Sequence, residues 1–443
     1  MTNLNGLHFR PVSRRFIALT SNIPMVGAAL PVGFVFALLL AILRPPVPMP
    51  KGVKRLILSA GLGLLGFVFS SLTWHVSIPP SNVGQYLSFG LFLVAFTRTV
   101  KDTTTAAQLL AWFSIGQVLY FLIARPDNTV DSFENLWKYG IAYPVATIAV
   151  YVCVTSARLR PLLLPILSAI GVASIFLDYR SMGLVCLLTV VICYVQGQSK
   201  RVGKASGRPL RLIVGGIVVV ALAELLPRAM EQGFFGESIQ RRLLRQTADN
   251  TPAILGGRTE SPLSIAAIIS RPWIGWGDAQ TIDQDTVTLG VRIADSLGLS
   301  NPSFFLPIWI RAEGRISLHS IFFTAWVEGG VLSAILPGAL IIVFVVAIFR
   351  ARGKLMPIVV FAAAHGIWDL LFSPWAGNAS IAIAGYTILA LWAIAESSAA
   401  RLASNDVDSR MVDGDEAASF DSRKAQRNFV KKSSIGNFIR LRR

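Results

Sequence analysis

Residues 319–349 read HSIFFTAWVEGGVLSAILPGALIIVFVVAIF. From Ile321 onward this is an apolar run of bilayer-crossing length. A histidine stands at its head, where a long polar stretch from Arg228 to Leu318 ends. Ile341 to Phe349 does not alternate apolar and polar residues as a barrel strand would, so the run reads as helix. In hydrocarbon every backbone N–H and C=O needs a partner within its own segment, which again favours the helix.

Working outward, similar runs lie near 25–43, 56–73, 86–97, 106–124, 138–157, 162–177, 181–197, 212–227, 355–373 and 379–396. The run from Phe16 to Leu43 holds either one tilted span or a hairpin broken near Pro24 and Pro31. With 53% hydrophobic residues and mean hydropathy +0.59, a soluble domain is excluded. The expected fold is an all-α polytopic membrane protein of about 11–12 transmembrane helices with one large extracytoplasmic loop. Four regions follow: N-terminal transmembrane helices over 1–227, a large loop over 228–318, C-terminal transmembrane helices over 319–398, and a disordered basic cytoplasmic tail over 399–443. The first apolar stretch lacks a small-residue cleavage site and is read as a retained span.

Net charge of +17 does not point to nucleic acid, because the positive residues cluster in short turns and in the tail. Lys51-Lys54-Arg55, Arg98-Lys101, Arg158-Arg160, Lys200 to Arg211 and Arg350-Arg352-Lys354 alternate with weakly charged connections. That asymmetry places the basic turns in the cytoplasm and 228–318 on the far side. Cys153, Cys186 and Cys193 all sit in apolar runs, which argues against a disulfide framework or a cysteine-based metal site.

Within the loop, Ser261-Pro262 reads as a helix start, with Ser261 as N-cap, and Arg271-Pro272 as its end. Trp273 and Trp276, in the aromatic turn that follows, suit a membrane interface. The loop is expected to lie on the membrane surface without forming a separate globular domain.

The loop carries nine arginines and no lysine. Guanidinium forks match phosphate oxygens, so Arg242, Arg245 and Arg258 are candidates for holding a diphosphate. Against this, arginine outnumbers lysine along the whole chain, and nine acidic residues share the loop and must take up several arginines. His319 at the loop's re-entry point can accept a proton from a hydroxyl near neutral pH or serve as an interfacial anchor. Arg180, in the short turn Asp178-Tyr179-Arg180-Ser181, needs Asp178, a carbonyl or a substrate phosphate as partner, unless it snorkels to the headgroups. His365 and Asp369 share one helix face and read as a polar contact supporting the site. Glu328 is too far along the helix to face His319 and is expected to bond an adjacent element near Gly329-Gly330.

Taken in order, Tyr179-Arg180-Ser181, Gly256-Gly257-Arg258, Arg271-Pro272-Trp273-Ile274-Gly275-Trp276-Gly277 and His319-Ser320 with Gly330 after nine intervening residues resemble the bacterial O-antigen ligases and the related O-antigen and exopolysaccharide polymerases. The resemblance covers roughly Asp178 to Ser333 and departs at Ser333, where Gly, Thr or Tyr is common. It implies a metal-independent glycosyltransferase of the cytoplasmic membrane with no cofactor. The donor would be a glycan on undecaprenyl diphosphate, the acceptor a lipid or saccharide hydroxyl. His319 would activate that hydroxyl, and Arg180 and Arg258 would hold the leaving diphosphate. Two rival readings bear on the same chain. Protein-mannosyltransferase-like enzymes need acidic residues in the first outer loop, and Trp74 to Gln85 has none. A transporter or flippase of lipid-linked glycans would place charge near the midplane in both halves.

Overall fold

The computed structural model describes residues 30–43, 49–124, 132–201, 259–299, 301–311, 314–375 and 379–402, with scattered positions between 15 and 26 and between 225 and 244. Arg242, Arg245 and Arg258, most of the 212–227 run and the tail beyond 402 lie outside the described residues. The chain divides into the units Met1–Ile394 and Ala395–Arg443, and the packing and site contacts described below are within the first.

Among the described residues the protein is helical, apart from a short antiparallel ribbon of β1 (Pro24–Val26) and β2 (Leu30–Pro31). The ribbon occupies the place where the sequence left a tilted span or a broken hairpin open. The bundle helices are α1 (Val32–Leu43), α2 (Val53–Trp74), α3 (Pro80–Thr97), α4 (Thr103–Ala124), α5 (Phe133–Thr155), α6 (Leu163–Phe176) and α7 (Arg180–Arg201). The loop region contributes α8 (Ser261–Ser270), α9 (Gln284–Ser296) and α10 (Pro302–Trp309). The chain then returns through α11 (Ile321–Arg350), α12 (Met356–Phe372) and α13 (Ala379–Leu402). Five of these, α2, α4, α5, α11 and α13, are long and apolar enough to cross a bilayer. Others are shorter: the 14 residues of α6 extend about 21 Å, less than a hydrocarbon core of roughly 30 Å. Length and composition thus establish a helical membrane protein.

Small residues set the central contact. Ser333 Oγ donates to Gly63 O at 2.7 Å, and Tyr86 OH donates to Ser333 O at 2.6 Å. A Cβ on Gly66 would lie 2.6 Å from Ser333 Oγ and 2.8 Å from Gly329 O. The backbones of α2 and α11 therefore approach as only glycine and serine permit. The order Gly63–Ser333, Gly66–Gly329 makes the two helices antiparallel, so Trp74 reaches the level of Ile321. Its indole N–H donates to Gly275 O at 2.8 Å.

Short connections make the other neighbours antiparallel too. The turns with Lys51, Lys54 and Arg55, with Arg98 and Lys101, with Arg158 and Arg160, and with Arg350, Arg352 and Lys354 consequently gather at one end. Trp74, Asp178 to Arg180, His319 and Ser373 gather at the other.

A third of the way along α11 the helix opens. Gly330 has φ 68 and ψ −166, a conformation that a side chain would strain. Trp276 N–H donates to Val327 O at 2.7 Å, Gly277 N–H to Glu328 O at 2.9 Å, and Val331 N–H to Trp273 O at 3.3 Å. Backbone groups freed by the break are thus satisfied by the turn 273–277, as buried irregular backbone requires. A Cβ on Gly330 would collide with the Trp273 carbonyl, and one on Gly275 would sit 2.5 Å from Gly330 N.

The described part of the loop has an apolar core of its own. Leu263, Ala267, Trp276, Ile282, Val287, Phe305, Trp309 and Leu318 cluster together, joined by Val327 of α11. The described part of the loop thus packs around this cluster and against α11. Two local expectations are corrected. The residue at the α8 N-cap position is Glu260, not Ser261, since helical dihedrals already begin at Ser261 with Pro262 in the first turn. Trp276 is not interfacial: its ring is 1% exposed and its N–H donates to Ala267 O at 2.9 Å. Trp273, 75% exposed, keeps the outward position.

Candidate active site

His319 is held between two anchored neighbours. Leu318 belongs to the loop core, and Ser320 caps α11 by accepting from Phe323 N–H at 3.2 Å. Ile321, fully buried, donates its N–H to Ser373 O at 2.9 Å. Pinned on both sides, the histidine adopts φ 36. Such a backbone costs a non-glycine residue on the order of 1–3 kcal/mol and persists only where its surroundings over-determine it.

The side chain is 29% exposed, and its Nδ1 lies 3.0 Å from Glu260 Oε1. Ser317 Oγ is 2.9 Å from the same nitrogen. Glu260 is 10% exposed at its side chain and sits where α8 begins. A carboxylate on Nδ1 favours the tautomer with the proton there, leaving Nε2 as the basic nitrogen. No described residue hydrogen-bonds Nε2. One ring nitrogen is thus fixed and the other is open at a half-exposed position.

The His365–Asp369 pair is as expected on one face of α12, with Nδ1 3.0 Å from Oδ2, although the geometry falls short of a directed hydrogen bond. Tyr143 packs on the imidazole with ring centroids 3.8 Å apart. Asp369 also accepts from Ser373 Oγ at 3.0 Å. Ser373 takes the Ile321 N–H, and Ser320 Oγ donates to Leu370 O at 3.3 Å. The pair therefore supports the two residues that follow His319, without touching His319 itself.

Arg180 finds the acidic partner that its turn offers. Its Nη2 is 3.7 Å from Asp178 Oδ1, and Lys138 Nζ is 3.5 Å from the other carboxylate oxygen. Its level follows from helix register. Cys193 Sγ contacts Met356 Sδ at 3.8 Å, and Gln196 donates to Ile348 O at 3.2 Å, so the C-terminal part of α7 meets the start of α12. Counting back 193 − 180 = 13 residues on α7 and forward 369 − 356 = 13 on α12 gives the same rise, about 20 Å. Arg180 is thus level with Asp369, at the end of the bundle that holds His319. Among the described residues no contact joins Arg180 to His319.

Glu328 bonds an adjacent element near the glycine pair, as the sequence implied: Asn82 Nδ2 of α3 donates to its carboxylate. Glu260 was not singled out in the sequence. Its one signal is a carboxylate immediately before the helix start Ser261-Pro262, and nothing in a spacing of 319 − 260 = 59 residues announces a contact. Compared with known proteins, the chain matches no family model and no curated relative.

Proposed function

We propose that the protein is a membrane glycosyltransferase of the O-antigen ligase or polymerase kind, moving a glycan from undecaprenyl diphosphate to a sugar hydroxyl in surface polysaccharide synthesis. The observation that carries this reading is the strained, half-exposed His319 with Nδ1 held by Glu260. Nε2 takes the proton of the acceptor hydroxyl as its oxygen bonds to the anomeric carbon. The bond from that carbon to the diphosphate oxygen breaks, and its electron pair leaves with undecaprenyl diphosphate. Arg180, with Arg258, Arg242 and Arg245 of the loop, is assigned to the growing negative charge, which fixed guanidiniums stabilise in a site of low dielectric constant. Shorter apolar helices complete the set of spans in this reading. The basic end of the bundle faces the bacterial cytoplasm, and the loop faces outward at the donor's headgroup.

The break in α11 at Gly330 favours a second reading, a transporter of the lipid-linked glycan, since discontinuous helices line transport sites. Purified protein in liposomes with labelled donor separates the two. A transferase releases undecaprenyl diphosphate and loses that release in His319→Ala. A transporter moves the donor intact in both proteins.

A further inference from the structure

The turn that docks on α11 begins with Arg271, the residue directly after α8. Its guanidinium carbon lies 3.8 Å from the ring centroid of Trp74 and 3.7 Å from that of Trp276, a sandwich between two indole faces. Both rings are fixed by their own N–H bonds, to Gly275 O and to Ala267 O. A guanidinium covered on both faces keeps its donors in one plane, oriented edge-on as a fork. Among the described residues no hydrogen bond or ion pair takes those donors, although the Asp283 carboxylate is near enough to feel the charge, and the side chain is half-buried.

The sandwich is not needed to hold the turn. Trp74, Trp276, Gly277 and Val331 already tie it to α2 and α11, and Trp326 Nε1 donates to Pro272 O at 2.8 Å. A rigid fork with open donors, at the end of the bundle that carries His319, has the makings of an oxyanion site. Arg271 and Glu260 flank the 10 residues of α8, so about 15 Å of helix separates their backbones. The diphosphate that leaves beside His319 is already assigned to Arg180 and to other arginines of the loop.

We propose that Arg271, clamped by Trp74 and Trp276, binds a phosphate-bearing group other than the diphosphate that leaves beside His319. That distinction rests on the proposed reaction; the binding does not. The group belongs either to the glycan substrate or to a phospholipid headgroup, and one experiment distinguishes them. The full chain in neutral detergent is treated with phenylglyoxal, and modification is followed residue by residue by mass spectrometry. Inorganic pyrophosphate should slow modification of Arg271 several-fold while leaving exposed Arg292 unchanged. Trp74→Leu should abolish that protection. Protection by phosphatidylglycerol micelles but not by pyrophosphate assigns the site to a lipid headgroup. An Arg271 that reacts equally with and without either probe, or that does not react at all, overturns the proposal. His319→Ala should keep the protection, so a failure of the transferase reading shows separately, in the release assay.

Discussion

Among the described residues two histidine–carboxylate contacts have equal length, 3.0 Å each, and they differ in everything else. His365 and Asp369 are neighbours on one helix, buried beneath Tyr143, and the pair forms as soon as α12 does. His319 and Glu260 come from opposite ends of the described loop and meet only when its core closes. One imidazole is covered, in ordinary helix. The other is open on one nitrogen and strained in its backbone. A shared distance therefore says little about role; accessibility and strain separate a base from a brace.

The sharpest way to break this contrast is to truncate each histidine. His319→Ala should lower glycan transfer by about 10²–10⁴-fold, the range typical of losing a general base, and His365→Ala by less than tenfold. Equal losses in a liposome transfer assay would erase the distinction. Next in size, Glu260→Gln should reduce kcat by about a hundredfold with little change in donor KM, because the wrong tautomer then competes. Partial recovery in Glu260→Asp would mark a positioning role, and wild-type turnover by the glutamine protein would remove it. The brace should show itself in stability. His365→Ala leaves Asp369 unpaired in a largely buried setting and should cost on the order of 3 kcal/mol, read as a lower thermal midpoint in detergent. His319→Ala likewise strands Glu260 and keeps the Cβ that strains φ 36, so its midpoint should fall as well, and the two variants separate in activity rather than in stability.

The smallest effect concerns the loop core that brings Glu260 to His319. Asp283 caps α9 by accepting from Thr286 N–H at 2.8 Å. That backbone bond, together with the Thr286 side chain, holds the carboxyl below its usual range. Asp283→Ala should weaken the cap by about 1 kcal/mol, so amide exchange in α9 quickens by about fivefold. With the folded pKa depressed, the contribution is present above the unfolded value of about 3.9 and is lost as pH falls through the folded value. The difference between wild type and variant should therefore vanish in acid. A difference independent of pH would assign the effect to something other than the carboxylate.

How much of this the sequence disclosed depends on range. The helical membrane class follows from apolar runs such as 341–349, because bilayer physics acts on each segment separately. The His365–Asp369 contact is legible because four residues make a helical turn. Asp178 as a partner of Arg180 was likewise readable from two positions in one turn. Glu260 on His319, the indoles around Arg271, and Asn82 on Glu328 were not, because each joins segments far apart in the chain. Trp276 departs from its expected interfacial place for a related reason. An aromatic in a polar loop suits an interface until a core forms inside the loop, and that core is a tertiary event.

The opening of α11 at Gly330 has a consequence for grafting. The acceptors at Val327 and Glu328 are completed only by amides that arrive with the turn 273–277. A chimaera given a foreign outer segment, however well it folds alone, would leave two peptide oxygens naked in a greasy setting. Exchange between such proteins must carry the helix and its docking turn together as one heritable cassette.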